Sequence, residues 1–429
     1  DADFNVAIGT GSLSSDTKGN KSIAIGQAAL FAQNFSTSTD SHNIAIGNEA
    51  GVAVTTGVNN VLIGSLAGDA LTDADNNVAM GKSALSADTL GSNSTAIGRK
   101  ALGTQNFTTA TNSYNTALGS FAGERLTTGI QNTFIGALTG DVFTDADFNT
   151  GVGYQVLSSD TLGSKSTAVG YFSLGSQNFT TATDSLNTAV GFQAGASITV
   201  GVANVAIGAT ALDSATVNNR NTAVGNAALT SYNNTSTATS DNTAIGAAAG
   251  LSLTTGTLNT LIGALVGEQG TALTTGSSNT LVGYDLGTSG AGSANQIALG
   301  VGYSCTGDNN FCFGKASNVV ENDFDTDASF SRSSDERLKK NIENQTLGLD
   351  FINDLRTVKY KWKPNDELDA SDSQLKHLRE TDDDGNVINY MNTDATMHNF
   401  IAQEVKASLD KAGVSNFGGW KEDQFGVQK

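Results

Sequence analysis

Over the first three quarters of the chain, apolar residues fall in short alternating runs, and each run ends in glycine. Ser22-Ile23-Ala24-Ile25-Gly26, Asn43-Ile44-Ala45-Ile46-Gly47 and Asn187-Thr188-Ala189-Val190-Gly191 are typical. Eighteen such glycines run from Gly9 to Gly314, mostly 17 residues apart. In the first part every fourth gap is 21, giving a larger period of 72 residues, so that Asp88–Gly119 and Asp160–Gly191 are near copies. A period this short predicts a solenoid in which no repeat buries its apolar face alone. It excludes an ordinary globular enzyme for this part of the chain.

Within a unit, alternation places the Thr and Val of an Asn-Thr-Ala-Val-Gly run on one face and the Asn, Ala and Gly on the other. β-Branched residues favour strand, and Ala and Gly permit close approach of a neighbouring chain or wall. A second apolar segment follows each glycine, as in Ala101-Leu102 and Ala194-Gly195. Gly, Asn, Asp, Ser and Thr fill the turns. In fourteen units, from Asn5 to Asn310, an asparagine stands four residues before the glycine. Stacked amides can form a hydrogen-bonded ladder, or each can make a local Asx-turn. Rungs about 4.8 Å apart make a rod on the order of 85 Å long. A coil this thin has little core of its own. We therefore expect three chains side by side, burying the Ala-rich face.

Composition sharpens this picture. The formal net charge is −19, which argues against nucleic acid as a partner, since phosphate binding needs clustered Lys and Arg. There is no run of about 18 apolar residues, so no membrane insertion is expected. Of the 23 basic residues, 14 lie in the last 114, as do the single proline, Pro364, and both tryptophans, Trp362 and Trp420. The break sits near 315, with the acidic stretch Glu321–Asp327 at the join. We divide the chain into a shaft over 1–315, an acidic linker over 316–333 and a C-terminal domain over 334–429. Cys305 and Cys312, seven apart, fit neither a zinc pattern nor a redox pair. Two small buried side chains is the preferred reading and a disulfide the other. Asp1/Asp3, Asp73/Asp75 and Asp145/Asp147 recur at 72; calcium ligation is weighed against solvated turns, and the turns are favoured. Asp323, Asp325 and Asp327 resemble the start of an EF-hand loop, but Ala328 and Ser334 stand where its glycine and glutamate are needed. No metal or cofactor is expected.

The unit resembles the head repeat of trimeric autotransporter adhesins and similar repeats in bacteriophage fibres, with Ser22–Gly26 and Asn43–Gly47 carrying the likeness. The resemblance covers 1 to about 315. It implies a mainly β fold, a trimeric parallel β-solenoid of the left-handed β-roll type. The 21-residue coils carry Gln33-Asn34-Phe35, Gln105-Asn106-Phe107 and Gln177-Asn178-Phe179 with Ser/Thr-rich stretches. They predict ridges every fourth rung. Phe35, Phe107 and Phe179 are candidate residues of a receptor-binding ridge, with decoration by Phe tucked over the coil as the favoured alternative.

The string Ser334-Asp335-Glu336-Arg337-Leu338-Lys339-Lys340-Asn341-Ile342 reads on pattern as a helix start, with Ser333 and Glu336 forming a capping box. Leu349, Ile352 and Leu355 give a helical stripe. Val358, Tyr360 and Trp362 alternate as a strand, and Asp384-Gly385 is a hairpin turn. On pattern this is a small α+β domain with no evident active site. The same string, with Gly348–Pro364 and His398–Val405, resembles the intramolecular chaperone of phage endosialidases and other tailspikes, peptidase family S74. That resemblance implies a domain continuing past Lys429 that trimerises, helps the upstream β fibre to fold, and then cuts itself off. Carried over, Ser334 is the nucleophile, Ser333–Ser334 the cleaved peptide and Lys339 its general base; His398 is a weaker base. A lysine can serve if nearby positive charge, here Arg337 and Lys340, lowers its pKa.

Together these likenesses imply a virion fibre made in the host cytoplasm, a tail fibre or tailspike shaft. Its partners would be two further copies, other virion proteins and a host surface glycan or protein receptor. Its only activity would be single-turnover self-cleavage. Two alternatives are a glycan-degrading tailspike whose catalytic domain lies outside this chain, and a bacterial trimeric surface adhesin. The first needs a paired-carboxylate site that the repeats do not show. The second would end in a membrane anchor.

Overall fold

The computed structural model describes residues 2–235, 239–325, 347–372, 375, 379, 381, 385–387, 393–394 and 396–414. The chain divides into two compact units, 1–330 and 331–429.

The first unit is a parallel β-solenoid. Eighteen short strands, from Val6–Ile8 to Asn310–Lys315, each precede or include one of the repeat glycines. Each pairs in parallel with the strand one coil away, residue for residue, as in Thr188↔Val205, Ala189↔Ala206 and Val190↔Ile207. The recurring glycine ends the strand at a positive φ, 125° at Gly136. There a Cβ would lie 1.9 Å from the carbonyl oxygen of Gly153 in the next coil. Stacking at strand spacing leaves no room for a side chain, and this is why the period is written in glycine.

Strand alternation sets the faces, but the assignment of the Ala face is the reverse of that expected. Ala24, Ala45, Ala96, Ala189 and Ala223 point into their own coil and are fully buried, while the flanking Thr, Val or Ile face outward. Small residues line the interior because each coil is thin. The Ala-rich face is therefore already covered within the chain and is not available to neighbouring copies. The second segment also points inward, through Ala101-Leu102 or Ala122-Gly123. A third inward position, seven residues after the glycine, holds Val54, Leu71, Leu126, Phe143 or Leu253. Volumes compensate between coils. Leu62 lies where a Cβ on Gly51 or Gly68 would come within 2.6 or 2.7 Å of its methyl groups. Phe134 stacks on Phe143 at 5.5 Å and occupies the space over Gly140.

The asparagines form the ladder. Asn60 N donates to Asn43 Oδ1 at 2.9 Å, and Asn77 N to Asn60 Oδ1 at 3.0 Å. Each amide nitrogen also holds its own unit, as Asn60 Nδ2 donates to Ala74 O at 2.7 Å. A buried amide with both ends satisfied ties two coils together without an orphaned polar group.

The solenoid does not stop at 315. Asn318–Asp323 turns back and pairs antiparallel with Asn310–Lys315, so the acidic stretch begins inside a hairpin rather than in a linker. The hairpin supplies backbone partners that another parallel coil would otherwise give. Cys305 and Cys312 are joined by a disulfide, which corrects the preferred reading of two unlinked side chains. Both are buried, and a carboxylate oxygen of Glu321, on the returning strand, lies 3.3 Å from Cys312 Sγ.

In the second unit, the described residues form helix Leu349–Asp354, strand Thr357–Tyr360, its antiparallel partner Met397–Phe400, and helix Ala402–Lys411. The stripe at Leu349 and Ile352 is helical as expected, but both side chains are largely exposed.

Candidate functional site

Ser333, Ser334 and Lys339 lie outside the described residues, as do Glu336, Arg337 and Lys340. The backbone of His398 is described, in the strand Met397–Phe400. What the structure does give is the framework that follows the motif. Arg356, just before the strand Thr357–Tyr360, makes a paired contact with Glu404 on the second helix, its Nε donating to Oε2 at 3.1 Å. The guanidinium holds the Glu404 carboxyl below its ordinary range. Lys411 Nζ reaches Asp354 at 2.6 Å, joining the ends of the two helices. Tyr360 and Trp362 meet edge to face at 5.3 Å. Arg379 Nη1 donates to the carbonyls of Asp366 and Leu368, both at 2.6 Å, gathering the 3-10 turn Asn365–Glu367. These exposed pairs are worth little singly.

A shallow groove between the two helices brings Ser408 and Lys411 together. Their chemistry is wrong for a nucleophile and base. Asp354 raises the Lys411 pKa through a hydrogen bond and its charge, so the amine stays protonated. A base needs the opposite shift.

Sequence reasoning passed over a buried polar constellation in the shaft. In the third inward position, two successive coils carry Asp and Gln instead of an apolar pair: Asp16 and Gln33, Asp88 and Gln105, Asp160 and Gln177. Gln105 Nε2 donates to Asp88 Oδ2 at 2.6 Å and to Ser94 Oγ at 2.8 Å, and its Oε1 accepts from Asn115 Nδ2 at 2.9 Å. Asp88 Oδ1 accepts from Gly91 N and Phe107 N, both at 3.0 Å. The amide ladder is interrupted here because Ser replaces Asn at 22, 94 and 166, and the glutamine bridges the gap. Burial pushes the Asp88 and Asp160 carboxyls up, against the hydrogen bonds they accept. The group is closed and fully used internally, so it is a fastening for the long coil. A signal existed: at the fourth repeat all three positions change together, to Ala215, Tyr232 and Asn221, with Tyr232 buried.

Phe35, Phe107 and Phe179 are 6, 6 and 5 % exposed. The Phe107 ring lies over Gly91, where a Cβ would come within 2.8 Å of it, so the rings cover the Asp–Gln pair instead of crowning the ridge. Of the acidic pairs, Asp73 Oδ1 accepts from Thr56 Oγ1 at 2.6 Å and Asp75 Oδ1 from Val58 N at 2.7 Å. Asp145 and Asp147 repeat this with Thr128 and Ile130. They cap the preceding coil. Among the described residues no helix is long and apolar enough to cross a membrane.

No curated protein and no solved structure matches the chain. Residues 334–414 match the protein-family model Peptidase_S74, the chaperone of endosialidase, so a C-terminal chaperone segment of that type follows the solenoid.

Proposed function

We propose that the chain is a structural virion fibre, a tail fibre or tailspike shaft that serves host attachment as a homotrimer. Its C-terminal segment brings three copies together, assists folding of the solenoid, and then cuts the chain between Ser333 and Ser334. The single observation that carries this reading is the order of parts: eighteen coils of parallel solenoid, then a chaperone-type match that begins at Ser334. Near-identical rungs can pair in a shifted register, and non-local parallel pairing is slow. A clamp at one end sets the register and raises the effective concentration of the copies. Once folded, the shaft is held by its unfolding barrier, and the clamp becomes dispensable.

In this reading the Ser334 hydroxyl attacks the Ser333 carbonyl carbon as Lys339 takes its proton. The C–N bond breaks with that proton passing to the Ser334 amine, and water then hydrolyses the resulting ester, freeing the Ser333 carboxylate and restoring the hydroxyl. The test is expression of a chain completed at its C-terminus, wild type beside Ser334→Ala and Lys339→Met, followed by denaturing gels and mass spectrometry. We expect a wild-type fragment ending at Ser333 and intact chains in both variants. An intact wild type that still assembles would leave a permanent assembly cap and remove the proteolytic role.

A further inference from the structure

The outward face of the strand ladder is chemically unlike the rest of the shaft. Each of the eighteen rungs contributes two outward strand positions, three residues and one residue before the glycine. All thirty-six are Val, Ile, Leu, Met, Phe or Thr. The chain is 15 % charged, so about five charges would be expected there by composition. The position just before the glycine is never Thr; it forms an unbroken apolar column that ends in Phe313. Its members are all partly exposed, eleven of the eighteen by more than a third: Ile46 is 37 % exposed, Leu118 44 % and Ile245 40 %. Two residues further on, Tyr154, Tyr171 and Phe192 stack along the same edge, with rings 6.0 and 5.2 Å apart.

At on the order of 50 Å² exposed per side chain, the column alone offers roughly 900 Å² per copy, against about 800 Å² per partner in a standard stable interface. Monomeric proteins rarely expose contiguous apolar patches above a few hundred Å². The occupant must match a stripe that repeats at strand spacing over eighteen rungs, and a surface with that repeat and length is another copy of the same stripe. The geometry points to the outward strand face, with the column through Ile46, Leu118, Ile207 and Ile245 at its centre, as the surface through which copies of this chain pack side by side. This rests on the reading of the shaft as an assembly of copies, and it replaces the Ala-rich face as the contact. In a cyclic assembly about the fibre axis, the same residue of every copy lies at the same height.

The test uses the full chain. Ile207→Lys with Ile245→Lys is compared with wild type by light scattering, with circular dichroism to follow the fold. Separately, Ile207→Cys and, as a control on a ridge, Thr109→Cys are treated with a short bismaleimide. We expect the wild type to have the mass of an oligomer, and the double lysine variant, whose C-terminal segment still gathers the copies, to show the wild-type spectrum with a lower thermal midpoint. We also expect cross-linked chains from Ile207→Cys and none from Thr109→Cys. Should the lysines abolish folding, cross-linking at 207 decides. A lysine variant that melts with the wild type, or cross-links at 109 without any at 207, overturns this face and leaves the assembly reading standing. A wild type with the mass of one chain at every concentration removes both.

Discussion

At the scale of single residues, the shaft is governed by backbone conformations that side chains tolerate poorly. The residue five before each repeat glycine has a left-handed φ in all eighteen units, including Phe148 at 61° and Leu258 at 61°. Asn59, Asn76, Asn93, Asn295 and Asn309 occupy this corner naturally. A left-handed conformation costs a non-glycine residue roughly 1 kcal/mol, and asparagine less. Leu258→Asn should therefore stabilise the shaft by about 0.5–1 kcal/mol, read as a higher thermal midpoint at fixed chain concentration. The reverse exchange one residue on, Asn259→Leu, removes a rung of the amide ladder and should lower it.

A second residue-scale prediction concerns pH. Burial pushes the Asp141 carboxyl up to about 6, with Glu124 adding to the rise, and its Oδ1 is buried without a hydrogen-bond partner. The ordinary value is 3.8, so between that value and about 6 the folded chain holds more protons than the unfolded one. Stability from this group is then fully present below 3.8 and is lost as pH rises through about 6. Asp141→Asn should raise the thermal midpoint at pH 7.5 and flatten its fall between pH 4 and about 6. Asp69, Asp88, Asp160 and Asp213 are shifted in the same direction, so part of the slope will remain.

At the scale of elements, the long coil is a unit of its own. Serine in place of asparagine opens the ladder at Ser94, and Gln105 closes it while satisfying Asp88 and Asn115. Gln105→Ala would leave a buried carboxylate without its side-chain donor, and breaking such a group costs on the order of 2–4 kcal/mol. The natural alternative at Ala215, Tyr232 and Asn221 predicts a rescue. Asp88→Ala with Gln105→Tyr and Ser94→Asn should recover most of the midpoint lost by Gln105→Ala. Equal losses in the triple and single variants would show that the three positions do not act together. The periodic pattern made these coils visible as elements, and the 72-residue period placed them. It did not show that an apolar interior position had been given to Asp and Gln, because both types also suit a turn.

At the scale of the whole molecule, folding and persistence are separate problems. If the C-terminal segment sets register, a chain truncated at Ser333 should yield little assembled shaft on expression. A shaft cut after assembly should melt at the same temperature as the uncut one. Parallel thermal scans and soluble yields of the two preparations check this, and a truncated chain that assembles at wild-type yield would remove the need for the segment.

The fold of the shaft was legible from the chain because each coil repeats the same local instruction. Glycine is required where backbones meet at strand spacing, asparagine where a buried amide must satisfy two coils, and alternation where one face is covered. The match at 334–414 falls on the stretch whose motifs stood out in the sequence. Three things were decided only in three dimensions. Alternation defines two faces but not which is inside, and the thinness of the coil put alanine within and left the apolar column outside. Spacing allowed Cys305 and Cys312 to be apart or bonded, and the shortened last coil brought them together. A composition break suggested a linker at 316, yet an exposed sheet end needs backbone partners, and Asn318–Asp323 turns back to supply them.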